Sequence, residues 1–173
     1  AATRRYLGTL RTTGSSGNSE DSASKRFVWN MCNRVPRKLI AKQTTANWAY
    51  TTETWRPSNN DTTAGITRVE YVVGRSREMV RLNAYFPSVN SGSATVAVGI
   101  GINSTSSNSA DLYGGSAVSE NAVRADLNTA PSEGYSYAQM LEYSKATGTT
   151  NWGATYHTGA REFSTLLSGI IFN

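Results

Sequence analysis

The hydrophobic pattern of the chain runs with a period of two, and residues 94–103, ATVAVGIGIN, carry it most cleanly. Val96, Val98, Ile100 and Ile102 fall on one face, while Thr95, Ala97, Gly99 and Gly101 fall on the other. Alternation of this kind marks a β-strand buried on its large face. The second face is nearly bare, and glycine inside a strand costs conformational entropy. The pattern therefore predicts a layer approaching the backbone closely: a second strand layer, a neighbouring subunit or a large aromatic ring. A bulged strand without such a partner is the alternative.

The same period recurs along the chain. Residues 67–73, TRVEYVV, place Val69, Tyr71 and Val73 together; residues 78–86, EMVRLNAYF, place Val80, Leu82, Ala84 and Phe86 inward, and Pro87 is expected to end that strand. A weaker strand is predicted near 122–127. Residues 134–143 align Tyr135, Tyr137, Leu141 and Tyr143, a composition that favours strand over a short helix. Nearer the start, residues 4–13 read as a weak edge strand and 14–24, without a large apolar residue, as a loop. Phe27, Trp29 and Met31 alternate before Pro36, and 47–55, NWAYTTETW, has strand composition. Residues 56–65 are a turn cluster. Residues 103–117 form a long polar loop whose one aromatic, Tyr113, makes it a candidate receptor contact.

Strands at 151–156 and 165–172 complete the set. The last reads TLLSGIIF, with Leu166, Leu167, Ile170, Ile171 and Phe172 occupying both faces. A sandwich strand normally shows one polar face, so this one is predicted to be covered on both. A symmetric oligomer supplies that cover, or the N-terminal segment lies over it. About eight strands after residue 47 and no helix of ordinary length predict an all-β fold, an antiparallel β-sandwich of the jelly-roll kind.

Charge divides the chain where hydropathy does not. Residues 1–43 hold nine Lys/Arg against Glu20 and Asp21, a balance of +7; residues 44–173 hold eight against ten acids, a balance of −2, and together they give the net +5. The split predicts a basic N-terminal arm, residues 1–46, joined to a near-neutral body, residues 47–173. Arg interleaved with Tyr6, Phe27 and Trp29 suits either nucleic-acid contact or an arm docked on a protein surface, and the strand-like alternation favours docking. The single cysteine, Cys32, excludes an intrachain disulfide and reads as packed beside Met31. No apolar run approaches the ~20 residues of a membrane span, so no membrane insertion is expected. The sequon at Asn103 is read as chance in so Ser/Thr-rich a chain.

Catalytic signatures are thin. His157 is the one histidine and has no triad motif around it. No Cys or His pair offers a metal site, and no cofactor is expected. Glycoside hydrolysis needs only two neighbouring carboxylates, for which Glu133, Glu142, Glu162, Asp111 and Asp126 are available. Solvent-facing charge is the plainer reading of all five.

The phrases YLGTLRTTG, KRFVWNMCNRVPRKL and NWAYTTETWRPSNN, with TRVEYVVG and the terminal GIIF, resemble a group of tailed-bacteriophage virion proteins. The resemblance touches most of the chain and carries no catalytic residue. It implies a non-enzymatic virion component, a fibre or spike head or a capsid decoration protein, and a trimer of jelly rolls similar in layout to tumour-necrosis-factor-like domains. On that footing Arg4, Arg5, Arg11, Arg26, Arg34, Arg37 and Lys38 are expected to anchor the chain to other virion proteins. The C-terminal strand would close a homotrimer, and a host-surface glycan is a further candidate partner. The rivals are an icosahedral coat protein packaging nucleic acid with its arm, and a carbohydrate-binding or glycosidase sandwich domain.

Overall fold

A computed structural model describes residues 4–113, 121–153 and 164–172. In chain order the strands are β1 (Gly8–Leu10), β2 (Lys25–Arg26), β3 (Val28–Asn30), β4 (Pro36–Lys42), β5 (Trp48–Ala49), β6 (Arg56–Pro57), β7 (Arg68–Val73), β8 (Val80–Asn90), β9 (Val96–Ile102), β10 (Asp111–Tyr113), β11 (Asn121–Thr129), β12 (Gly134–Ser144), β13 (Thr150–Trp152) and β14 (Leu166–Phe172). A 3₁₀ turn at Ser58–Asn60 is the one helical element among the described residues. The fold is all-β, as the alternation requires.

Two sheets stack. In the larger, β8 is central: β11 and then β10 lie on one side, and its other edge is shared by β14 and β13. Beyond those come β4 and β5. In the smaller, β12 is central, with β9 along one edge, β7 and β6 along the other, and β2 parallel to β7. Inward residues of both sheets meet in one core, including Val80, Leu82, Ala84 and Phe86 of β8, Val69, Tyr71 and Val73 of β7, and Val96, Val98 and Ile100 of β9. Two such faces packed together exclude water from the large side of every long strand.

Several expectations change. Pro87 does not end its strand: β8 continues through it to Asn90, opposite Ala122 of β11. Proline forfeits only its own donor, and the Pro87 carbonyl still accepts from the Gly153 amide at 3.2 Å. The division at residue 46 is also not structural. β4, inside the expected arm, pairs along its whole length with β14. The Ala23 carbonyl accepts from the Ile40 amide at 2.8 Å and the Ser24 carbonyl from the Glu70 amide at 2.9 Å, so the segment before β4 joins the two sheets at one edge. The β1–β3 ribbon lies over the outer face of the smaller sheet, where Phe27 and Trp29 are buried against Val72. Net charge describes side chains at the surface, whereas backbone pairing follows the period-two alternation of Phe27/Trp29 and Leu39/Ala41.

The bare face of β9 meets its close layer. A Cβ on Gly101 would run into the carbonyl oxygens of Ser104 and Ser107, and one on Gly99 into the Asn108 side chain and the Trp55 ring. The polar loop after β9 thus folds back on its own strand, and Asn108 Oδ1 accepts from the Ile100 amide at 2.9 Å. Gly101→Val is expected to cost about 1–3 kcal/mol by overpacking against backbone that cannot yield cheaply. An unchanged melting temperature in calorimetry would show instead that the loop withdraws freely.

Candidate functional site

The two outer faces of the sandwich differ. That of the smaller sheet is covered by the chain itself. β12 presents Tyr135, Tyr137, Gln139, Leu141 and Tyr143 outward, sharing a face as the sequence pattern requires. The Arg11 guanidinium lies 3.4 Å from the Tyr135 ring centre and that of Arg68 4.1 Å from Tyr137. Gln139 is buried, accepts from Arg68 Nε at 3.0 Å and donates to the Asp61 and Thr67 carbonyls. Trp55 packs on Tyr143 with ring centres 5.3 Å apart.

Two buried carboxylates pin these covering segments. Glu78 accepts from Trp29 Nε1 at 2.5 Å and pairs with Arg34 at 2.7 Å, which fixes the N-terminal ribbon. Glu142 accepts from Trp48 Nε1 at 2.6 Å and from Arg56 Nε at 2.7 Å, which fixes the 48–56 segment. Burial pushes the Glu142 carboxyl up to about 7, opposed by the Trp48 hydrogen bond and the Arg56 charge. Burial likewise raises the Tyr71 hydroxyl. With Trp48 and Arg56 occupying its oxygens, Glu142 acts as a clamp and presents no free carboxyl to a substrate. Glu78 was invisible as a site from sequence, since it reads as the first residue of a strand and nothing local marks its burial.

The outer face of the larger sheet has no such cover among the described residues. Register places Lys38, Ile170, Arg81 and Asn128 in one row across it, and Ile40, Ser168, Asn83, Asp126 and Asp111 in the next. These rows form an open depression of about 630 Å³. Ser168 Oγ donates to Asn83 Oδ1 at 2.8 Å, and Arg124 grips Asp126 through Nε at 2.9 Å and a terminal nitrogen at 2.7 Å. Asp111 stands directly opposite Asp126. Of the four candidate carboxylates among the described residues these two are brought together, but both oxygens of Asp126 are taken by Arg124. Glu133 accepts from the Ser76 amide at 2.7 Å. His157 and Glu162 lie outside the described residues.

The C-terminal strand divides by parity. Leu167 and Ile171 are wholly buried in the protein's own core and are unavailable to a partner, a correction to their expected place in an interface. Leu166, Ile170 and Phe172 sit half-buried on the outer face. The N-terminal ribbon does not cover them, because it lies on the opposite sheet. Of the expected anchoring cations, Arg26 binds Asp21 and the Lys38 carbonyl, Arg34 binds Glu78, and Arg11 stacks on Tyr135. Arg4, Arg5, Arg37 and Lys38 form no ion pair among the described residues. Tyr113 is in strand β10, opposite Arg124, rather than at a loop tip. Cys32 is exposed rather than packed, because the Asn30 side chain accepts its amide at 2.8 Å and turns the chain outward after β3. The Asn103 side chain donates to the Ser136 hydroxyl and accepts from the Tyr137 amide.

Among the described residues no group of His, Cys, Asp and Glu could hold a metal ion, and no helix is long and apolar enough to cross a membrane. No family model matches the chain, and no curated protein matches it.

Proposed function

We propose that the chain is a structural subunit of a bacteriophage virion, of the fibre or spike head or capsid-decoration kind, which works by self-association rather than catalysis. The jelly-roll reading of the sandwich is supported by strand order: β4-β14-β8-β11 faces β7-β12-β9, so that strands adjacent in sequence repeatedly cross between sheets and the first long strand lies beside the last. The reading requires no cofactor.

The observation that carries the assembly is the one-sided cover. The smaller sheet is covered by the chain's own segments, while Leu166, Ile170 and Phe172 remain part-exposed beside Ile40 and Tyr85 on the larger. Each keeps at most about a third of its surface in water, so burying the remainder contributes about 0.5–1 kcal/mol, a third of the value for a fully exposed side chain. A trimer closed on this face is the expected state. Light scattering tests it: the protein should run as a trimer, and Ile170→Asp, which leaves the core intact, should give a folded monomer. A wild-type monomer at micromolar concentration would refute the trimer.

A further inference from the structure

Residues 4–7, 31–37, 74–79 and 130–133 come together at one end of the sandwich, where β7 runs into β8 and β11 into β12. Polar contacts tie them into one surface. The Met31 amide donates to the Leu7 carbonyl at 3.0 Å, and the Ser76 amide to Glu133 at 2.7 Å. The Glu78 carboxylate joins Trp29 and Arg34 to the turn before β8, and Tyr6 stacks on the Trp29 ring with centres 5.4 Å apart. Arg37 stands opposite Ile171, which pairs in turn with Val80 at the start of β8. Asn121 and Trp152, near the two internal segments outside the described residues, both pair with Ser88 toward the opposite end of β8.

Charge and apolar surface coincide on this end. Arg4, Arg5, Arg34, Arg37, Arg75 and Arg77 stand against Glu78 and Glu133, six against two, a balance of +4 in a chain of net +5. Every cation here is arginine, although the chain also has four lysines. Apart from Arg34, these arginines form no ion pair among the described residues. Five of the nine exposed large hydrophobic side chains among the described residues share the surface: Tyr6, Leu7, Met31, Val35 and Met79. Arg77 adds an independent observation. Its φ of +73° lies in the left-handed region, where a side chain costs conformational energy and glycine does not. The other described non-glycine residues with positive φ are Asn59, Asn60, Ser93 and Asn103, all short. Arg77 is the one long side chain so held, and it is exposed.

We infer that this end of the sandwich is a docking surface for an acidic protein, one that presents carboxylates among apolar side chains. Arginine and methionine are enriched at protein interfaces and lysine is depleted there. A phosphate backbone is served by lysine as well as by arginine, and it has no use for Met31, Val35 or Met79. A second copy placed end to end would bring the same +4 against this surface, so charge selects a different partner. The turn is pinned through Ser76 and Glu78 before any partner arrives, so Arg75 and Arg77 lose less freedom on binding. Of the arginines expected to anchor the chain, Arg4, Arg5, Arg34 and Arg37 lie on this surface, and folding alone brings Arg75 and Arg77 to join them. The inference does not depend on the virion reading, and it concerns a surface other than the outer face of β14.

Fluorescence anisotropy of a labelled synthetic peptide alternating glutamate with leucine tests it on the full chain, with circular dichroism melts as the control for folding. Two control peptides carry glutamine in place of glutamate, or serine in place of leucine. The glutamate–leucine peptide should bind about tenfold or more tighter than either control. Arg75→Glu with Arg77→Glu should weaken it about tenfold or more, and Met79→Ser about threefold. Lys42→Glu with Lys145→Glu changes the net charge equally at exposed positions away from this end and should leave binding within about twofold. Arg77→Gly should raise the melting temperature while weakening binding, which a purely structural role for Arg77 would not produce. A glutamate–leucine peptide that binds no better than its controls overturns the inference, and so does an equal loss from the lysine variants. A DNA duplex or phosphatidylserine vesicles bound more tightly than the peptide would assign the arginines to phosphate and overturn the protein partner. The titration reads this surface and light scattering reads the face of β14, so either proposal can fail alone.

Discussion

Trp29→Ala should detach the N-terminal segment from the sandwich and cost about 3–5 kcal/mol, the range for removing a buried tryptophan. The ring is 1% exposed and lies against Val72, Gly74 and the stacked Tyr6. Its loss also strips the buried Glu78 of one of its two donors and leaves the carboxylate with Arg34 alone. Trp29→Phe keeps most of the apolar contact and loses the Nε1–H, so it should cost less, about 1–3 kcal/mol. Urea unfolding measures both, and limited proteolysis of residues 4–35 reports the detachment directly. A Trp29→Ala midpoint equal to wild type would mean that the ribbon adds no stability and merely rests on the sheet.

Stability should fall as pH rises through the range between an ordinary carboxyl and neutrality. The Glu142 carboxyl is raised from 4.5 to about 7 by burial. Below the lower value the group is protonated in both states. Between the two, the folded protein holds a proton that the unfolded chain has released, so rising pH favours unfolding. Above about 7 the full cost of a buried charge is present. The linked loss is about 3 kcal/mol at most, since each unit of pKa is worth roughly 1.4 kcal/mol. Glu142→Gln keeps an acceptor for Trp48 and removes the titration, so its unfolding free energy should be flat across the same window. A wild-type profile that rises with pH there would show that Arg56 outweighs burial and holds Glu142 ionised.

The long strands were legible because each has a large face and a small one, and burial acts on that difference. Val96 to Ile102 and Val80 to Phe86 illustrate it: their parity in sequence is their parity in the core. Gly99 and Gly101 even announced a close neighbour, though not that it would be a serine-rich loop. What could not be read was long-range. Nothing near Glu78 or Glu142 in sequence reveals the tryptophan and arginine that close over each of them. Nor does TLLSGIIF say which parity faces inward, since both are apolar; Leu167 and Ile171 were settled by pairing with β4 and β8. The basic first third misled for the same reason. Its alternating residues belong to sheets completed by partners far along the chain.

That last feature bears on synthesis. β4 is made well before β14, its one strand partner among the described residues, which also fills part of one edge of β8. Until β14 has emerged from the ribosome, part of one edge of β8 stays open and β4 lacks the strand it pairs with in the larger sheet. The smaller sheet can assemble around β12 sooner, and the ribbon can dock on it. Between the emergence of β4 and that of β14 a nascent chain therefore carries an open seam along β8, and β14 is the strand that closes it.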